Sequence, residues 1–137
     1  MTITDTARKI AKRAHSFQYR RDGVTPYVTH PERVASRFPD NLDAQAVAWL
    51  HDVLEDTSET EVTLLEAGIS PKIITAIKIL TKTPNRSYAD YLISVKTNTL
   101  ARQVKIQDML DNLSDSPTEG QIVKYARGLL ALLNYDP

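Results

Sequence analysis

The sequence predicts an all-α fold, a single helical bundle of about eight helices covering residues 1–137. Three observations carry that expectation. Each periodic apolar stretch repeats near the helical period of about 3.6 residues, and none alternates as a half-buried strand does. Ser, Thr, Asp or Asn caps, with Gly or Pro breaks, separate the stretches at helix-length spacing. No internal repeat, low-complexity tract or linker divides a chain whose 137 residues are enough for one real core.

The elements can be justified in order. Thr4 or Asp5 can cap a first helix through about Phe17, with Ala7, Ile10, Ala11, Ala14 and Phe17 on one face. Gly23 and Pro26 mark a loop holding Arg20, Arg21 and two tyrosines. Pro31 suits the first turn of a helix carrying Val34, Ala35 and Phe38. Asp40 or Asn41 starts the helix that carries His51. Val62–Ala67 is a short helix closed by Gly68, and Ser70-Pro71 opens another through Leu80. The isoleucines between Ile69 and Leu80 make that segment the one most open to a strand reading, since β-branched residues suit both. Ser87 caps Tyr88–Lys96, Leu100–Leu113 is a long amphipathic helix, and Glu119 to about Asn134 closes the chain.

Composition narrows the function. Lys and Arg total 17, as do Asp and Glu, so no general polyanion-binding surface is expected and nucleic acid is not the expected partner. There is no cysteine, which excludes disulfides, thiolate metal sites and thiol nucleophiles. No apolar run approaches the roughly 20 residues of a membrane span. The N-terminal residues lack the basic and apolar regions of a signal peptide. A cytoplasmic protein is expected.

The chemistry concentrates in Ala46–Thr57. At about 100° per residue, His51, Asp52, Glu55 and Asp56 share one side of a helix whose other side carries Val47, Leu50, Val53 and Leu54. Crowding an imidazole with three carboxylates is costly, because like charges repel and burial disfavours ionisation, and a divalent cation relieves that cost. His30, at a loop-to-helix junction, and Asp108, on a later helix, can reach the same ion. Two imidazoles and two carboxylates form a nitrogen/oxygen set suited to Mn²⁺, Fe²⁺ or Zn²⁺, with positions left for water and a phosphate oxygen. Taken singly, each feature has a plainer reading: a surface His-Asp pair, a solvated Glu55-Asp56 helix end, or an Asp108–Lys105 or Asp108–Arg102 helix pair. His15, with no acidic motif beside it, reads as structural.

In order, the chain carries Arg20-Arg21-Asp22, Pro26-Tyr27-x-x-His30-Pro31, His51-Asp52-x-x-Glu55-Asp56-Thr57 and Lys105-x-x-Asp108-x-x-x-Asn112. This pattern resembles the hydrolase half of the RelA/SpoT alarmone enzymes and the stand-alone small alarmone hydrolases, within the HD phosphohydrolase superfamily. The resemblance runs from Ala7 through at least Asn112. It implies an HD-type, metal-dependent phosphohydrolase domain with one Mn²⁺ held by His30, His51, Asp52 and Asp108. It implies that Glu55 and Asp56 position or deprotonate the attacking water. Arg20 and Arg21 match a basic pair that contacts base and phosphates, Asn112 matches a ribose contact, and Lys105 joins the substrate-binding set. The implied reaction removes pyrophosphate from the 3′ position of the guanosine alarmones ppGpp and pppGpp. An adenosine alarmone, a nicotinamide dinucleotide phosphate, or a purely binding role are the alternatives.

Lys82 and Arg86, in the loop before Tyr88, are further candidates for phosphate contact. The chain also departs from the family pattern. The loop between Arg21 and Pro26 is short, and the stretch from Thr81 to Thr99 is compact. Asp115 stands where an uncharged hydroxyl residue is expected, and an acid there repels a polyphosphate unless it faces away.

Overall fold

The structure, a computed structural model, describes residues 1–133. Its helices are α1 (Ile3–Ala14), α2 (Thr29–Ser36), α3 (Leu42–Leu50), α4 (Val53–Asp56) and α5 (Glu61–Glu66). They are followed by α6 (Pro71–Leu80), α7 (Tyr88–Lys96), α8 (Thr99–Leu113) and α9 (Glu119–Leu132). Among the described residues the only extended pairing is an isolated antiparallel bridge between Tyr19 and Pro26. The all-α expectation is borne out, including over Ile69–Leu80. There the Ser70 hydroxyl accepts from the Ile73 N–H, Pro71 opens α6, and Ile73, Ile74 and Ile77 are buried on one face. Tertiary burial has overridden β-propensity.

Two boundaries differ from expectation. The first helix is capped by Thr2, in a reciprocal capping box with Asp5, and ends at Ala14. Phe17 then takes a left-handed φ of 71° and is 92% exposed, so it leaves the apolar stripe it was expected to extend. The helix expected to carry His51 and Glu55 together is interrupted at His51-Asp52 and resumes as α4. At the break, His51 Nδ1 lies 2.6 Å from the Ala48 carbonyl, so the ring takes up a helix acceptor. The end placed near Asn134 lies outside the described residues.

Helix α3 is the centre of the packing. Ala44, Ala46, Val47, Ala48, Trp49 and Leu50 are all buried, and the helix lies against α1, α2, α6 and α8. A helix apolar on every side has nowhere to go but the interior. Its alanines let neighbouring backbones approach closely, while Val47, Leu50 and the following Val53 fill the space between. Each such large side chain contributes about 1.5–3 kcal/mol of transfer free energy. The consequence for the site is positional: the residue that follows Leu50 begins inside the core.

Candidate metal centre and its surroundings

Among the described residues, the buried polar side chains are His15, His30, His51, Asp108 and Asp111. Four of these five meet at one place, where α2, the α3–α4 break and α8 converge. One ligand atom each from His30, His51 and Asp108 lie within 4.8 Å of one another. One carboxylate oxygen each from Asp52, Glu55 and Asp56 form a second such group nearer the surface. Asp52 adjoins both, with Oδ2 3.0 Å from His51 Nε2. All four expected ligands are thus brought together, in an inner and an outer set.

The two imidazoles are held differently. His30 Nε2 is 2.7 Å from Asp108 Oδ1, and its Nδ1 is 2.6 Å from Asp111 Oδ2. Asp111 in turn accepts from Arg33 Nε at 2.8 Å. His51 Nδ1 donates to the Ala48 carbonyl, which can only accept, so Nε2 is the ring nitrogen turned inward. That nitrogen has Asp52 at 3.0 Å and Asp108 Oδ1 at 3.4 Å, yet makes no properly directed hydrogen bond to either. A buried nitrogen without a partner, facing carboxylates from two elements, is a misfit for hydrogen bonding. It fits a divalent cation. The donor set is nitrogen and oxygen, with no sulfur.

The surrounding carboxylates favour positive charge at His51 Nε2, which a proton or a divalent cation can supply. Burial disfavours charge on His51, but Asp52 and Asp108 outweigh it and raise its pKa well above the usual value. Burial likewise opposes ionisation of Asp108, yet Lys105 and the two histidines hold its carboxyl well below the ordinary range. Lys105 Nζ donates to Asp108 Oδ2 at 2.8 Å and lies 5.5 Å from the centre of the Tyr91 ring. Glu55 and Asp56 move the other way. Partial burial comes first and neighbouring acids second in raising both pKa values.

A cavity of about 360 Å³ opens onto His51, Asp52 and Glu55, with Lys82, Tyr88, Tyr91, Lys105 and Lys124 in its walls. Of the expected substrate contacts, only Lys105 lines it; Lys82, a further candidate, lines it too. Arg86 turns instead to the Asp90 carbonyl, at 3.1 Å. Arg20, Arg21 and Asn112 lie outside. Asn112 Nδ2 donates to Asp108 Oδ1 at 3.3 Å, and its Oδ1 accepts from Arg20 at the same distance. Arg20 is bound to Asp115 Oδ2 through Nε at 3.0 Å and Nη2 at 2.7 Å. Arg21 bonds the Asp115 carbonyl at 2.5 Å and the Gln121 side chain. Asp115 therefore faces the arginines. His15 is buried beside Tyr27, its Nδ1 2.9 Å from Gln18 Oε1.

Sequence reasoning missed Asp111, Arg33 and Lys124. A usable signal existed for Asp111, which stands three residues after Asp108 and so shares its helix face. Arg33 has the same relation to His30. Tyr27, part of the Pro26-Tyr27-x-x-His30-Pro31 motif but given no role there, donates its hydroxyl to Asp52 Oδ2.

Comparison with known proteins follows the same lines. No family model matches the chain. Over 60 residues it is 52% identical to guanosine-3′,5′-bis(diphosphate) 3′-pyrophosphohydrolase of Haemophilus influenzae. That match takes in 42% of this chain and 9% of the relative, so the chain spans about a tenth of that protein's length. A metazoan orthologue of SpoT, described as hydrolysing ppGpp, superposes with a TM-score of 0.78. The superposition covers 97% of this chain and 86% of that one at 22% identity, a likeness of fold. In a 60-residue stretch by sequence, and over nearly its whole length by fold, this chain is similar to the RelA/SpoT-type alarmone hydrolases.

Proposed function

We propose that residues 1–137 act as a single HD-type phosphohydrolase domain that removes the 3′-pyrophosphate of ppGpp or pppGpp, releasing GDP or GTP and pyrophosphate. The observation that carries this reading is the partnerless His51 Nε2 among His30, Asp52 and Asp108, beside a lysine-lined cavity walled by Glu55. His30, His51, Asp52 and Asp108 would hold one divalent cation, and Mn²⁺ is our choice for this mixed set. Such an ion supplies Lewis acidity, which acidifies water and offsets charge on a phosphoryl group.

The remaining roles belong to the chain's own side chains. Glu55 and Asp56 orient the attacking water and accept its proton; their raised pKa values suit carboxylates that act as bases rather than as permanent ligands. Lys82, Lys105 and Lys124 receive the phosphates. Arg20, Arg21 and Asn112 meet the nucleoside side, where a guanidinium can present a flat face to a base. Tyr27 fixes the Asp52 carboxylate by its hydroxyl. No described helix is long and apolar enough to cross a membrane, and we place the activity in the cytoplasm.

The test is a panel of guanosine and adenosine nucleotides, NADPH included, incubated with protein loaded with Mn²⁺, Zn²⁺ or Mg²⁺ and resolved by chromatography. Pyrophosphate and GDP from ppGpp are expected, with Mn²⁺ the most effective. Tight binding of ppGpp without any product under every metal would replace the enzyme with a sensor.

A further inference from the structure

The Arg20–Asp115 pair is built, not incidental. Arg20 crosses from the loop before α2 to the turn after α8, its side chain is 9% exposed, and two of its nitrogens converge on one carboxylate oxygen. Its guanidinium lies 5.8 Å from the centre of the Tyr27 ring and reaches Asn112, which bonds Asp108. The turn that presents Asp115 includes Ser116 at a left-handed φ of 47°, and Arg21 bonds the Asp115 carbonyl. Asp115 Oδ1 accepts no hydrogen bond among the described residues, and the side chain is 35% exposed.

The effect is to cancel a charge. An unpaired arginine at this point would be a strong phosphate site, because a planar guanidinium forks onto phosphate oxygens. A substrate with a pyrophosphate at each end could then lie either way across the cluster. Paired, the guanidinium keeps its flat face and spare N–H groups but offers no net attraction to an anion. In the cavity Lys105 is likewise paired, with Asp108, but Lys82 and Lys124 meet no carboxylate among the described residues.

We propose that Asp115 sets how a nucleotide lies across the site. Paired with Arg20 and 3.9 Å from Arg21, it cancels one of that flank's two positive charges, so the Tyr27–Asn112 flank takes the uncharged nucleoside and leaves the phosphates to the lysine-lined cavity. This rests on the nucleotide reading above.

The full chain, with and without Mn²⁺, is titrated with inorganic pyrophosphate by calorimetry as wild type, Asp115→Asn, Asp115→Ser and the double variant Arg20→Ala/Asp115→Ala. Freeing Arg20 in either single variant is expected to add a second pyrophosphate per chain or to tighten binding roughly tenfold, the scale of a hydrogen bond to a charged group. The double variant is expected to return to the wild-type isotherm. In steady state, the single variants should show kcat and KM for ppGpp lowered together, as binding in a second, non-productive direction requires, and stronger inhibition by pyrophosphate. Wild-type pyrophosphate binding in both folded single variants overturns the proposal, as does a gain that persists without Arg20. A lowered ppGpp KM at unchanged kcat also overturns it, since Asp115 would then merely obstruct. If the wild type releases nothing from ppGpp, the hydrolase reading fails, while the titration still decides the charge argument because it needs no turnover.

Discussion

Two sets of carboxylates meet at Asp52, and the same chemical group is pushed in opposite directions on its two sides. Inside, Asp108 and Asp111 are buried among His30, His51, Lys105 and Arg33. Burial opposes their ionisation, yet hydrogen bonds and cationic neighbours hold both well below the ordinary range. Outside, Glu55 and Asp56 have no cation in direct contact among the described residues, and burial together with acidic neighbours raises both. The difference teaches a division of labour. The inner acids stay ionised, Asp108 to hold a cation and Asp111 to hold His30, whereas the outer pair sits closer to the point at which a carboxylate accepts a proton.

The comparison breaks most completely from the inside. His51→Ala or Asp108→Ala is expected to abolish Mn²⁺ binding and turnover together while leaving a helical protein. The loss should exceed the ~10–100-fold that follows removal of a supporting group. Unchanged Mn²⁺ affinity in both variants, measured by calorimetry, would end the ligand assignment. Breaking the outer set should separate the two properties. Glu55→Gln with Asp56→Asn is expected to retain Mn²⁺ and ppGpp but to lose turnover by about 10²–10⁴-fold, the range for a general base. Single-turnover pyrophosphate release reads this directly, and near-normal release would reduce the pair to a solvated helix end.

Much of this arrangement was legible in the sequence because it rests on local rules. The α3 core stripe and the Ser70-Pro71 start of α6 follow from helical period and capping, and the closeness of Asp52, Glu55 and Asp56 follows from their short spacing. The break at His51-Asp52 was not legible. It depends on the His51 ring bonding the Ala48 carbonyl, a choice made by tertiary burial rather than propensity. Asp111 escaped for a related reason. A buried aspartate on a helix looks like any surface acid until His30 and Arg33, some eighty residues earlier, are seen to close on it. The Arg20–Asp115 pairing spans a similar separation.

A smaller effect sharpens the inner half of the comparison. Asp111 touches the cluster only through His30, so Asp111→Asn should leave a site that still binds Mn²⁺, weakened about 10–100-fold. The same variant carries a pH signature in the metal-free protein. Against the opposing effect of burial, hydrogen bonds from His30 and Arg33 depress the folded-state pKa of Asp111 below its ordinary value of 3.8, so its contribution to stability is present above that pH and is lost as pH falls below it. Chemical denaturation between pH 5 and 2, a window of roughly this linkage, should therefore show a shallower acid loss in Asp111→Asn than in wild type. Parallel curves would mean that Arg33 and His30 stabilise the neutral acid as well as the carboxylate.

The smallest expected effect tests the outer pair alone. Glu55 is raised above its ordinary value of 4.5, first by burial and next by the charge of Asp56, while the Lys82 N–H bonded to its Oε1 at 3.0 Å pulls the other way. Removing only the Asp56 charge, by Asp56→Asn, should lower the Glu55 pKa without returning it to 4.5, because burial and the charge of Asp52 remain. Carboxyl carbon shifts followed by NMR in the metal-free protein measure this without any turnover. A Glu55 pKa that does not move would show that the two carboxylates are too well separated by solvent to act on each other, and the outer set would then be two independent acids rather than a coupled pair. A fall all the way to 4.5 would instead assign the whole shift to Asp56 and leave burial with no share in preparing the base.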